Sequence, residues 1–340
     1  MNFNNLNLGL ENPGEGKSGF VIHNFLAALN DTFNQSNNAR FKSYFKKNGD
    51  VPKWMVFSDY VLNDKSKPND VVTFSIIPYT ADFFKLSEYI DSISFKDIKK
   101  IKRVNEGFIN FINSSEILNI SVLLPKARKL DPINEREMLK TRYEMAINQV
   151  KIWLSNDADN KHYKTLLSNY ELLLSEVCKS GANFRYIRDI EIVSSLSAYI
   201  VFQICTEVKV EIIGWFSDRD ALLSYKAAKF SKPIIFDLTH NLYHNLMFQI
   251  DEDYKESFVF GLPERNGKVW YDSYNRIPDL IAATLADYNY ENNQCSHDKF
   301  IPVIEKILTN KEKNIIYKLS LEDDVFSAGV LDLRLEDKNC

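Results

Sequence analysis

The residues whose types and places suggest chemistry are four aspartates. Asp59 lies inside the apolar run Lys53-Trp54-Met55-Val56-Phe57-Ser58-Asp59-Tyr60-Val61. Asp218 follows a second apolar run, residues 208–216. Asp272 follows Val269-Trp270-Tyr271, and Asp279 comes directly after Pro278. A carboxylate within an apolar strand is costly unless it is paired or bound to a metal. Several carboxylates brought together repel one another, and a divalent cation relieves that repulsion. Mg²⁺ or Mn²⁺ suits such a group, because a few carboxylates hold the ion while waters and a substrate phosphate complete its shell. Such ions activate a water and stabilise the leaving oxygen in phosphodiester cleavage. Asp59, Asp218 and Asp279 are therefore the expected metal ligands, and with Asp272 the expected catalytic set.

Basic residues supply the complement. The stretch Lys96-Asp97-Ile98-Lys99-Lys100-Ile101-Lys102-Arg103 holds five bases and one acid, and Lys126, Arg128 and Lys129 follow a third apolar run. Lys99, Lys100, Lys102, Arg103, Lys126 and Arg128 are the expected contacts to a phosphate backbone. The competing reading is a solvated basic face. The net charge of −4 leaves nucleic acid open as a partner, since a local patch matters more than the total.

The elements that must position these groups follow from periodicity. Residues 53–61 and 71–78 read as antiparallel strands joined across a turn-rich loop, and 120–124 as a third strand. Ile98, Ile101, Phe108 and Phe111 or Ile112 fall on one amphipathic helix. A helical insertion spans about 131–200. Residues 208–216 read as a strand, 221–230 as a helix, 233–237 as β-like and 239–250 as a helix. Residues 258–260 and 269–271 look like a strand pair. Pro278 belongs in the first turn of a helix that runs to about 290, with Asp279 near its start. Ala282, Ala283 and Ala286 would let that helix approach a sheet closely. The expected organisation is an N-terminal arm and helix (1–50), an α/β domain with the insertion (51–300), and a C-terminal helix with an acidic tail (301–340).

This order of elements resembles the RNase H-like fold: an acid-bearing strand, an antiparallel partner, a third strand, helices, an acid-ended strand and a helix carrying an acid. Asp272-Ser273 followed by Ile277-Pro278-Asp279-Leu280-Ile281-Ala282 is similar to the C-terminal signature of a large uncharacterised bacterial RNase H-like family. Ser58-Asp59 resembles that family's first strand, and residues 216–219 its Asp-Arg strand end. The resemblance spans about residues 53–290. It implies an RNase H-like mixed sheet flanked by helices and a metal-dependent, nuclease-like activity. Members often occur among mobile-element and phage-related genes, which implies a role in defence. The chain departs from the family after its first Asp, where Tyr60-Val61-Leu62 stands in place of Glu-Ser-Gly. That departure favours the alternative of an inactive interaction or regulatory subunit on the same fold, with a protein partner or a second copy.

Other motifs weigh less. Pro13-Gly14-Glu15-Gly16-Lys17-Ser18 is like the tail of a P-loop, but Glu11 occupies the place of its first glycine. Asp218-Arg219-Asp220 is a D-x-D, the metal motif of a sugar transferase, with no second signature beside it. His240 and His244 share a helix face at zinc-ligand spacing but lack the glutamate of HExxH. Four widely spaced cysteines suit free thiols in a reducing cytoplasm. No secretory signal opens the chain, and the apolar stretch 196–205 is too short to span a bilayer. Only 11 glycines occur in 340 residues, four of them among the first 19. The expected site must therefore act through carboxylates, not through backbone amides that cradle a phosphate.

Overall fold

The computed structural model describes residues 19–335, apart from 95–97, 227–228, 231, 252, 264–266 and 268. The P-loop-like segment lies outside the described residues. The strands are β1 (Lys53–Val61), β2 (Asp70–Pro78), β3 (Leu118–Leu124), β4 (Ile212–Ser217), β5 (Phe258–Gly261), the two-residue pair β6 (Tyr288–Asn289) and β7 (Gln294–Cys295), β8 (Asn314–Glu322) and β9 (Val325–Val330). Seven of them form one mixed sheet in the order β5-β4-β1-β2-β3-β8-β9. β1 runs antiparallel to β2 and parallel to β4, β2 antiparallel to β3, and β3 parallel to β8.

Helices cover both faces of this sheet, which is why β2 and β3 are buried at every residue and read as continuous apolar runs. On one face lie α1 (Asn24–Thr32), α2 (Asn38–Lys47), α5 (Glu135–Asn156), α6 (Lys161–Cys178), α7 (Phe184–Glu207) and α8 (Ile234–Phe248). On the other lie α3 (Phe83–Ile93), α4 (Glu106–Ser114), α9 (Asp272–Asp287) and α10 (Ile301–Val303), which a π turn continues to Leu308. The few polar side chains inside the strands pair across the sheet. Thr73 Oγ1 meets Ser121 Oγ at 2.9 Å, Ser75 Oγ donates to Asn119 Oδ1 at 2.7 Å, and Asn119 Nδ2 donates to Asn314 Oδ1 at 3.2 Å. Buried polar groups are thus satisfied in a row from β2 to β8.

The expected insertion resolves into three helices, each opened by an asparagine cap. Asn134, Asn160 and Asn183 accept from the amides of Glu137, Tyr163 and Tyr186. The last of them, α7, is long and apolar enough to cross a membrane, but 89% of its most apolar window is buried in the fold. It is the central helix of its face.

Several local expectations give way. The helix expected through Ile98 and Ile112 is a 3₁₀ turn, Ile98–Lys100, then a loop, then α4, because Asn105 caps a new helix by accepting from Gly107 N at 2.7 Å. Residues 234–237 are the first turn of α8, not β-like. A helix buried on nearly all sides has the same apolar run as a strand. The strand expected at 208–216 starts only at Ile212. The helix expected over 221–230 is only the 3₁₀ turn Ala221–Ser224. β5 pairs in parallel with β4 and not with residues 269–271. Phe216 explains the glycines of these two strands: a Cβ at Gly214 would come within 2.6 Å of its ring, and one at Gly261 would also collide with it. Asp323 and Asp324 of the expected acidic tail form the turn of a hairpin, β8-β9, that extends the sheet beyond β3, while Glu336 and Asp337 lie outside the described residues.

A buried ionic group ties the N-terminal segment to the helical face. Glu191 of α7 accepts from Tyr143 OH at 2.8 Å and meets His23 Nε2 at 2.9 Å and Arg142 Nη2 at 3.1 Å. Burial alone would push the Glu191 carboxyl up, but Arg142 and His23 outweigh it and hold it at about 2. A depressed carboxylate contributes stability above its unfolded value, and that contribution is lost as pH falls toward its folded value. Removing the anion leaves Arg142 buried without its partner. Glu191→Ala should therefore cost about 3–5 kcal/mol in denaturant unfolding at pH 7; a loss within ~0.5 kcal/mol, as at an ordinary surface site, would refute the account.

Candidate functional site

Strand alternation aims Asp59. Trp54, Val56 and Tyr60 belong to the core under α5–α8, whereas Met55 and Phe57 belong to the core under α9. Asp59, two residues beyond Phe57, faces α9. Neighbouring hydroxyls hold the strand in this register from the opposite face. Tyr60 OH lies 2.7 Å from Ser58 Oγ and 2.9 Å from Ser217 Oγ, and Trp215 Nε1 donates to Ser58 Oγ at 2.8 Å. The parallel ladder ends with Ser58 opposite Ser217, and Asp218 N donates to Ser58 O at 2.9 Å. Asp218, the next residue, is thereby set beside Asp59.

Asp279 comes from α9, which packs on β1 and β2 with Ala282 and Ala286 fully buried against the sheet. Pro278 and Asp279 lie in the second turn of this helix, which begins at Asp272. The expectation that Asp279 opens a helix is therefore corrected. The helix starts earlier because Asp272 Oδ2 accepts from Val269 N at 2.9 Å and settles the turn before it.

The electrostatics tie these acids together. Asp59 is buried, and its carboxyl is held well above the ordinary range, first by burial and then by the charges of Asp279 and Asp218. Asp279, on the helix packed against β1, is thus a near neighbour of Asp59. Burial likewise raises Asp218, and Asp272 adds to the rise. Asp220 is raised by burial and feels both Asp189 and Lys99. The Asp220 side chain accepts from Leu222 N at 2.8 Å and so caps a turn, which separates its role from that of Asp218 in the D-x-D. Asp272 also meets Arg219 Nη2 at 3.4 Å.

Among the described residues no group of three or more His, Cys, Asp or Glu side chains is arranged to hold one ion. What the donor set offers is Asp59, with Asp279 and Asp218 close enough for their charges to raise it. That suits Mg²⁺ or Mn²⁺, which take one or two carboxylates and leave positions for water and phosphate. It does not suit a closed structural zinc site.

The basic candidates divide. Lys100, Lys102 and Arg103 are exposed and line a cavity of about 780 Å³ that Asp279 also borders. Lys99 is exposed and lies in the field of Asp220. Lys126 Nζ is engaged by Asp70 Oδ1 at 2.5 Å and by the Asp64 carbonyl at 2.9 Å. Arg128 is buried, and its guanidinium spans Asp70 and Asp189 at 2.5 Å each. The expectation that Arg128 meets a phosphate is corrected: its donors neutralise two buried acids and face no solvent. Two cations of the cavity escaped the sequence reading, Arg276 and Lys306. Arg276 stands three residues before Asp279, a spacing that puts both on one helix face. His240 meets Glu256 at 3.2 Å and His244 meets Tyr254 OH, so both belong to a hydrogen-bonded helix surface.

No family model matches the chain, and neither a curated protein nor a solved structure is significantly similar to it. The reading of the acids therefore stands on their geometry.

Carboxylates kept together at a cost in stability are typical of functional sites. In metal-free buffer with EDTA, Asp59→Asn should remove the repulsion from Asp279. Thermal unfolding should show a gain on the order of 1 kcal/mol. A loss of that size would mean that favourable partners hold Asp59.

Proposed function

We propose that this chain is a metal-dependent protein that processes nucleic acid on an RNase H-like fold. The observation that carries the reading is that the carboxyl of Asp59 is held well above its ordinary range, first by burial and then by the charges of Asp279 and Asp218, which come from two other elements. The chain order of elements supports it: acid-bearing β1, antiparallel β2, β3, helices, acid-ended β4, and the acid-bearing helix α9. Mg²⁺ or Mn²⁺ bound here would supply an activated water and stabilise the leaving oxygen of a phosphodiester.

The residues have distinct parts in this reading. Asp59 and Asp279 would hold the ion. Asp218, at the end of the next strand, would complete the negative field from the solvent side. Asp272 would act through Arg219, fixing the segment after β4. Lys99, at the edge of this field, and Lys100, Lys102 and Arg103 would draw the phosphate chain toward the acids.

A second reading is an inactive interaction subunit on the same fold. It is favoured by the Tyr60-Val61-Leu62 segment, whose Tyr60 hydroxyl is committed to Ser58 and Ser217. The two readings separate in one set of measurements. Single-stranded and duplex DNA and RNA are incubated with Mg²⁺ or Mn²⁺ and wild type, Asp59→Asn or Asp279→Asn. Loss of one metal-holding carboxylate should lower cleavage at least about 100-fold. Added Mg²⁺ should raise the melting temperature of the wild type and not of either variant. Equal cleavage by all three proteins, or no cleavage with no metal-induced shift, would leave the interaction reading standing.

A further inference from the structure

The cavity that Asp279 borders has a composition that the acids alone do not require. Its volume is about 780 Å³, within the roughly 300–1,000 Å³ of small-molecule sites. Its apolar lining presents the partly exposed Ile93, Ile101 and Pro302, while Ile98, Val104, Phe108 and Ile109 also border it but are themselves buried. Its rim is cationic, from Lys100, Lys102 and Arg103. The cations of the pocket are unequally committed. Arg276 is held by Asp91 at 2.8 Å and by the Ser94 carbonyl, and Lys306 by Glu106 at 2.8 Å. Among the described residues no ion pair engages Lys100 or Lys102.

An apolar lining beside a cationic rim matches a flat apolar ring that carries a phosphate. We propose that this cavity receives one unstacked nucleotide of the substrate, its base against the aliphatic Ile93, Ile101 and Pro302 and its phosphate at Lys100 and Lys102. The next phosphodiester is thereby led toward Asp279 and Asp59. A base in a continuous duplex stays inside its stack and cannot enter a pocket without being extruded. The cavity therefore selects single strands or frayed ends, which offer unstacked bases at no unpairing cost. The inference rests on the acids being a nucleic-acid site and adds the strandedness of the substrate. A free mononucleotide has the same chemistry and is a separate arm of the test.

Binding is measured in EDTA, so that it does not depend on the metal. Fluorescence anisotropy compares a labelled single-stranded oligonucleotide of about ten nucleotides with a blunt hairpin of the same sequence. The wild type should prefer the single strand by about tenfold or more, and Lys100→Glu combined with Lys102→Glu should remove about tenfold of that affinity. Both lysines are exposed, so this variant keeps its fold. Ile101→Trp, which narrows the cavity without changing charge, should also weaken the single strand. If that variant does not fold, the lysine pair decides. Displacement by deoxyadenosine monophosphate at concentrations comparable to the strand would assign the site to the free nucleotide instead of a strand and overturn the strandedness claim. Equal affinity for single strand and hairpin, or no effect of the lysine reversal, would overturn the pocket itself. The two proposals fail separately. Single-strand binding in EDTA without cleavage in Mg²⁺ ends the nuclease reading and leaves the pocket. Cleavage in Mg²⁺ with no preference for single strands does the reverse.

Discussion

The nearness of Asp279 to the buried Asp59 is the constraint on which the arrangement depends. It joins β1 to the helix that covers it. Burial makes it expensive, because each carboxylate loses water and repels the other. Everything around it resists relaxation. The Phe57 ring stacks on Phe216 at 5.2 Å and on Tyr274 at 4.9 Å, so strand and helix are wedged together beside the acids. The far end of α9 is clamped as well. Asn69, in the loop between β1 and β2, donates from Nδ2 to the Leu285 and Tyr288 carbonyls, and Lys67 pairs with Asp287 at 2.5 Å. A helix held at both ends cannot slide to separate the carboxyls.

Register on β1 is the second condition. Because side chains alternate, a slip of one residue would send Asp59 into the apolar core under α7 and α8 and turn Ser58 toward α9. The hydroxyl cluster of Ser58, Tyr60 and Ser217 with the Trp215 indole prevents this. Its members are satisfied only when β1 and β4 stand in the observed pairing. The same pairing sets Asp218 beside Asp59, so one polar cluster on the back of the sheet places two acids on the front. Pro278 contributes from the other side. It supplies no amide to the Tyr274 carbonyl one turn earlier, which weakens the helix ladder immediately before Asp279.

The acids were legible in the sequence for a physical reason. A carboxylate flanked by Phe57 and Tyr60 in a run of apolar residues has no inexpensive explanation, and the same holds for an acid that directly ends a strand. Arg128 was not legible. Whether a cation is presented or buried depends on partners far along the chain, here Asp70 and Asp189, and local composition carries no trace of them. The C-terminal acids were misread by the same locality. Asp323 and Asp324, both at positive φ, form the turn of the β8-β9 hairpin, where short acidic side chains tolerate a left-handed backbone. At these two positions charge density marks a bend. The apolar segment 234–237 was ambiguous in principle, since a helix enclosed on nearly all sides has no polar face to reveal its period.

The placement of the exposed cations follows from the acids. Asp59, Asp218, Asp220, Asp272 and Asp279 make a negative field that would repel a phosphate chain, and the whole molecule, at −4, offers no compensation. Attraction must therefore be local and within about a Debye length, roughly 8 Å at physiological salt, of where the anion lands. The segment Ile98–Lys100 with its following loop meets that need, since Lys99 sits in the field of Asp220 and Lys100 lines the cavity that Asp279 borders. Charges interspersed through the acid cluster would have neutralised it and removed its reason to bind a cation. Charges set on an adjoining wall leave the acids mutually repelling while drawing an anion to their edge. The helix α9 is shared by both compartments, with Asp279 facing Asp59 and bordering the cavity at once. A substrate phosphate and a metal ion would then meet at a single side chain, and each would lower the cost of placing the other.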